Sequence, residues 1–290
     1  MSAPFVSTLS TGGFLALEGA GFRSSKLVQG TSVVRLGYQP KPSHYLPKAV
    51  RPAAVGSSAT GMPSSQVYFP SGSLTVQQYL NEGGWVELEE RTAAYNEART
   101  QALARLGAAA REAGACAVVD VRVRRGWFGH ARQAIEFTAV GTAVMSDRFE
   151  AEETDPVPLV CLGGTDFWKL VESGVWPLGI VGGTSLFYVL SGYRTKFARL
   201  RLSRRSYRNQ EYTDYTDGLR HTRLHAASRL RREAMQLGAS GVLGVTVDRK
   251  LEQQRERDAI VTVDLLGTAV VELETGAPPA VAYALGLGEA

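Results

Sequence analysis

Three blocks of sequence occur in the same order in both halves of this chain, and such a chain is expected to fold as two copies of one packing unit. The first block is a glycine-centred strand segment. Gly21-Phe22 leads to Leu27-Val28-Gln29-Gly30-Thr31-Ser32-Val33, and Gly174-Val175 leads, at the same spacing, to Ile180-Val181-Gly182-Gly183-Thr184-Ser185-Leu186. The second block is a helix running into a strand. Arg99, Ala102, Arg105, Leu106, Ala110 and Gly114 coincide without a gap with Arg223, Ala226, Arg229, Leu230, Ala234 and Gly238. The third is a closing strand that contains Gly141-Thr142-Ala143-Val144 in one copy and Gly267-Thr268-Ala269-Val270 in the other.

Each block implies a local structure. Tyr95, Ala98, Ala102, Leu106, Ala109 and Ala113 recur at i, i+3/i+4 steps, which is one apolar helical stripe. Leu219, Thr222, Ala226, Leu230, Ala234 and Leu237 form its counterpart. The stripes are rich in alanine, so each helix should lie close against a sheet. Gly114 and Gly238 fall where a left-handed helix cap belongs. Val119, Val121 and Val123 alternate with Asp120, Arg122 and Arg124, and Val245 and Val247 flank Thr246. Alternation marks a sheet with one buried face and one more polar face. One helix covers one face; the other must meet solvent or another subunit. Gly141 and Gly267, inside strands, predict a bulge or a close backbone approach.

The predicted architecture is α+β: two tandem modules, each a small, mostly antiparallel sheet covered by one long helix. The first module spans 1–149, with a long Pro/Ser/Gly-rich insertion at about 38–73. An acidic linker follows at 150–164. The second module spans 165–275, with a basic insertion at about 194–208, and a flexible tail closes the chain at 276–290. At 290 residues and 44% hydrophobic content, two domains of the usual ~100–200 residues are expected. The net charge of +4 says little by itself about partners. Cys116 and Cys161 form no CxxC pair, so a reducing cytoplasm is the expected compartment. No basic stretch followed by an apolar one opens the chain, and no apolar run approaches ~18 residues, so neither a signal peptide nor a spanning helix is expected.

The order V-x-G-x-x-V, R-x-x-A-x-x-x-L, G-A-x-A-V-V, G-T-A-V resembles the YbjQ family, whose label is heavy-metal-binding. Val28 to Val33, Arg99 to Val119 and Gly141 to Val144 carry the match in the first copy. Val181 to Leu186, Arg223 to Leu243 and Gly267 to Val270 carry it in the second. The resemblance implies a compact α+β fold and ring-like homo-oligomers, pentameric for single-domain members, and it implies no firm activity. The duplication and the enlarged segments before each helix depart from the usual pattern, so a ring of a different size is open.

Candidate sites are few. His221 and His225, at i and i+4, put two imidazoles on one helix face, as a metal site needs. No third ligand stands at useful spacing, and a polar helix face is the plainer reading. Cys116 reads as a small core residue. No GxSxG and no persuasive Cys/His pairing occur, and Glu89-Glu90 and Glu152-Glu153 read as solvated charge, so no catalytic residues and no cofactor are expected. Gly182-Gly183-Thr184-Ser185 lacks the lysine and spacing of a phosphate loop and reads as a bulge or turn. The strongest candidate surface is basic: Arg194, Lys196, Arg199, Arg201, Arg204, Arg205 and Arg208, interleaved with Tyr193, Phe197 and Tyr207. It suits a subunit or protein contact, with acids of the linker or of 82–90 as partners, or a solvated face, or nucleic acid or an anionic membrane. The leading expectation is a non-enzymatic, ring-forming scaffold or binding protein whose main partner is itself. Metal binding and polyanion binding are the alternatives.

Overall fold

The computed structural model describes residues 6–36, 67–68, 84–128, 134–146, 156–192, 211–253 and 258–272. Among these residues the chain forms four helices and eight strands. They are α1 (Thr11–Gly19), β1 (Phe22–Arg35), β2 (Val67–Tyr68), β3 (Gly84–Glu87), α2 (Glu89–Glu112), β4 (Ala117–Phe128), β5 (Ala134–Ser146), α3 (Gly164–Glu172), β6 (Val175–Leu190), α4 (Thr213–Gln236), β7 (Gly241–Gln253) and β8 (Ala259–Glu272). Two antiparallel sheets result. One has the order β1-β5-β4, the other β2-β3-β6-β8-β7. The fold is α+β, with the same helix–strand–long helix–hairpin run in each half.

The two long helices form and stop for the reasons their sequences give. Of the predicted α2 stripe, Tyr95, Ala98, Ala102 and Leu106 are buried and Ala109 and Ala113 half-buried, Ala110 being buried in their place; of the α4 stripe, Thr222, Ala226, Leu230 and Ala234 are buried and Leu219 half-buried. Leu237, the last member of the predicted α4 stripe, is exposed beyond the helix end. Both helices close on a glycine in the left-handed region, Gly114 at φ 67° and Gly238 at φ 70°. Ala115 N–H reaches back to Ala110 O and Gly114 N–H to Arg111 O, and in α4 Ala239 N–H to Ala234 O and Gly238 N–H to Met235 O, the paired bonds of a Schellman cap.

Small residues set the distance between helix and sheet. A methyl group on Gly30 would fall on the backbone of Ala102 and Leu106, and one on Gly183 on that of Ala226 and Leu230. Gly30 and Gly183 are therefore points of close helix–strand approach, which accounts for the glycines of the first block. Gly141 and Gly267 do the same between strands. A Cβ on Gly141 would meet Val118 at 2.7 Å, and one on Gly267 would meet Val242 at 2.6 Å. The bulges lie on the neighbouring strands, between Val119 and Arg122 and between Leu243 and Thr246.

Two features were not visible in the sequence. Val67 and Tyr68, inside the stretch expected as a loop, form β2. With β3 it extends the second sheet, because β3 pairs with β6 from Gly84↔Leu190 to Glu87↔Phe187. Strands from the first half thus complete the sheet of the second. Of the acidic stretch expected as a linker, residues 156–164 are described; Gly164 opens α3, and 158–162 lie against β4. Val118 N–H donates to Pro158 O, Val160 N–H to Val118 O, Val121 N–H to Val160 O and Asp120 N–H to Leu162 O, all at 2.8–2.9 Å. The core is correspondingly shared. Leu36, Tyr95, Ala98, Ile135 and Phe137 pack in one cluster with Leu186, Tyr188, Leu190 and Ile260 of the second half. No described helix is long and apolar enough to cross a membrane.

Candidate functional site

The polar groups of the fold concentrate where the two halves meet. β3 covers the outer edge of β6 only over residues 187–190. Below that point α2 runs beside β6, and its side chains take over the bonds that a strand would have made. Leu186 O accepts from Leu88 N–H at 2.8 Å, and Leu186 N–H donates to Thr92 Oγ1 at 3.1 Å. Asn96 binds both groups of Thr184: its Nδ2 donates to Thr184 O, and its Oδ1 accepts from Thr184 N–H, each at 3.1 Å. One turn on, Arg99 Nη2 donates to Gly182 O at 3.2 Å, and Gly182 N–H donates to Glu233 Oε2 at 2.8 Å. A buried strand edge must have its backbone groups satisfied, and here a helix row spaced Thr92, Asn96, Arg99 does it.

Arg99 is the largest charged group in this seam and is 2% exposed. It pairs with Glu233 at 2.5 Å and also donates to Asn96 Oδ1 at 2.9 Å. Burial pushes its guanidinium below the ordinary arginine range, and Glu233 counteracts that. Arg125 of β4 forms the second ionic link, to Asp264 and, at 3.0 Å, to Asp248. Burial pushes the Asp264 carboxyl above its ordinary value, while Arg125 and a hydrogen bond from Thr184 pull it back. The third link is Glu87, buried at the end of β3. Its Oε1 accepts from Ser185 Oγ at 2.8 Å and pairs with Arg229 at 2.8 Å, and its Oε2 lies 3.4 Å from His225 Nδ1.

The histidines that sequence spacing singled out flank this third link. The His221 ring stacks on Trp85 with centroids 4.6 Å apart, and His225 stands edge-on to Phe187. Burial, and then the neighbouring His225, hold the His221 imidazole below its ordinary range. Spacing on α4 did put both on one face, where Glu87 from the other half meets His225 and Trp85 meets His221. This donor set does not suit a metal ion, because the Arg229 guanidinium already occupies the Glu87 carboxylate and repels a cation there. Among the described residues no group of three or more His, Cys, Asp or Glu is placed to hold an ion. Arg194, Lys196, Arg199, Arg201, Arg204, Arg205 and Arg208 lie outside the described residues.

A cleft of ≈ 800 Å³ follows the seam between α2 and α4, with Arg99, Leu103, Arg111, Ile180, Glu233 and Gln236 in its walls. Its described lining has no Cys or His; its hydroxyl, Thr100 Oγ1, donates to Asn96 O at 3.0 Å, and its carboxylate, Glu233, is paired with Arg99, so neither stands beside an imidazole base. Cys116 and Cys161 are free thiols pushed up by burial to about 11 and about 12, far from the thiolate a reactive cysteine needs. Glu87, Asp264 and Arg125 were missed in the sequence. The one signal for this network was the two arginine positions, Arg99/Arg223 and Arg105/Arg229, that recur between copies: Arg229 binds Ser185 Oγ at 3.0 Å, and Arg105 binds Thr31 O, next to Ser32, the counterpart of Ser185.

Comparison with known proteins agrees with this layout. A relative from Mycobacterium tuberculosis, an encapsulin nanocompartment protein, is 30% identical over 245 residues, which is 83% of this chain and 76% of the relative. The model of a family described as "Putative heavy-metal-binding" matches twice, over residues 83–147 and 192–272, each time across a long helix and the hairpin after it. The chain therefore belongs to the YbjQ family and carries its domain in tandem.

Proposed function

We propose that this chain is a non-enzymatic scaffold that assembles with copies of itself into a closed ring in a reducing compartment such as the cytoplasm. The observation that carries the reading is the use made of the buried polar groups. Arg99, Glu87, Arg125 and Asp264 are spent on joining one module to the other, and each is matched by a partner across the seam. A catalytic site keeps groups available to a substrate; here the charged groups face their partners across the seam. The relationship to an encapsulin nanocompartment protein supports a role in assembly. Light scattering on the purified, untagged chain tests the reading. A defined mass several times 31.3 kDa is expected, and a monodisperse monomer at micromolar concentration would contradict it.

A further inference from the structure

The two modules correspond position by position, and the seam inside the chain uses only one end of each. On the far side of the second module, β7 holds the place that β4 holds in the first. After the bulge, Arg122 pairs with Val140 and Thr246 with Leu266. Asp120 and Gly244, within the two bulges, share the left-handed conformation, at φ 51° and 61°. Yet Val121 is 4% exposed and its counterpart Val245 is 46% exposed. Leu243, Val247 and Leu251, counterparts of Val119, Val123 and Trp127, are exposed as well. What covers β4 is the segment 158–162, hydrogen-bonded to its edge. Among the described residues nothing pairs with the equivalent edge of β7. On α4, Thr216, Arg220 and Arg223 repeat the Thr92, Asn96, Arg99 row of α2, and all three are exposed.

The near side of the first module shows the complementary deficit. β1 is the counterpart of β6, and among the described residues no strand pairs with its outer edge. Leu186 of β6 is 1% exposed; its counterpart Val33 is 43% exposed. Residues 6–9 hold the place of 159–162. Thr8 N–H donates to Thr142 Oγ1 at 2.9 Å, as Cys161 N–H donates to Thr268 Oγ1 at 3.0 Å. Leu159 is 9% exposed, whereas Val6 is 58% exposed.

We infer that the internal seam is repeated between chains: the α4–β7 face of one copy docks on the β1 edge and the Val6–Leu9 segment of a second copy. The occupant is fixed by the internal example, since the surfaces that would meet are the sequence counterparts of surfaces that already meet within the chain. An exposed apolar face on an edge strand is an aggregation hazard unless something covers it, and β7 exposes Leu243, Val245, Val247 and Leu251 while its charges, Asp248, Lys250 and Glu252, alternate with them. The contact is head-to-tail, so it propagates until it closes. This inference rests on the self-assembly proposed above and adds which surfaces make the contact.

Two experiments on the full chain test it. The first is the double variant V245D/V247D. Both side chains are exposed within one copy, so the helical and sheet circular dichroism should be retained while the mass falls to 31.3 kDa. The second uses V6C and V242C, counterparts of Leu159 and Val118, which face each other as a bridge within the chain. A short bismaleimide should link the two single variants when they are mixed and link neither variant to itself; Cys116 and Cys161 stay silent because burial holds their thiols protonated. An assembled wild type with V245D/V247D of unchanged mass, or V242C linking to itself as fast as to V6C, would overturn this contact and leave self-assembly standing. A monomeric wild type would remove both.

Discussion

Arg99 shows how one residue joins the halves. Its guanidinium closes Gly182 O, Asn96 Oδ1 and Glu233 at once. Planar, forked donors are needed for that, and a lysine ammonium cannot reproduce them. Arg99→Ala should cost about 2–4 kcal/mol in urea unfolding, since it leaves buried acceptors without donors, and Arg99→Lys should recover little of it. His221 carries the pH dependence at this scale. Burial against Trp85 and the charge of His225 place its folded pKa below the ordinary 6.5, with Asp217 opposing and Arg220 adding to the shift. The unfolded chain then takes up a proton first as pH falls. The contribution is present above pH 6.5 and lost as pH drops through the folded value. His221→Gln should flatten the decline in melting temperature below about pH 6.5 relative to wild type. An unchanged slope would show that His221 titrates as a solvated ring.

At the scale of elements, the close approaches decide the packing. Gly30 lets β1 lie on α2, and Gly183 lets β6 lie on α4. In both cases a methyl group would meet helix backbone, which cannot rotate away as a side chain can. Gly30→Ala and Gly183→Ala should each destabilise by about 1–3 kcal/mol or more, read as a lowered urea midpoint. Gly107→Ala, with open space at its Cβ, should be neutral or stabilising by up to about 1 kcal/mol. These elements were legible in the sequence because they are local. The alanine stripe, the capping glycines and the glycine opposite each helix all depend on neighbours within one repeat. What was not legible depends on distant pairing. Nothing in Gly84-Trp85-Val86-Glu87 says that this strand will pair with β6 rather than β1. Nothing in Glu87 says that it will be buried against Arg229 while Glu89 and Glu90, two and three residues on, stay exposed in the first turn of α2.

For the whole molecule, duplication means that two surfaces are satisfied internally and two are left over. The halves share the groups that fold them, and β3, the segment 158–162 and the helix row Thr92-Asn96-Arg99 bind one half to the next. The repeat suggested a scaffold, and the helix stripes predicted which faces are covered within a module. The route by which the second face of a sheet is met could not be read from one copy at a time, because it runs from one half into the other. If the same route runs between chains, every module has the same two neighbours, and a ring of these chains contains an even number of modules. Class averages of single particles, with the mass of the same sample, test this most directly. A closed ring of paired module densities, with a mass that is a whole-number multiple of 31.3 kDa, is the result predicted. A monodisperse 31.3 kDa species at micromolar concentration would contradict it.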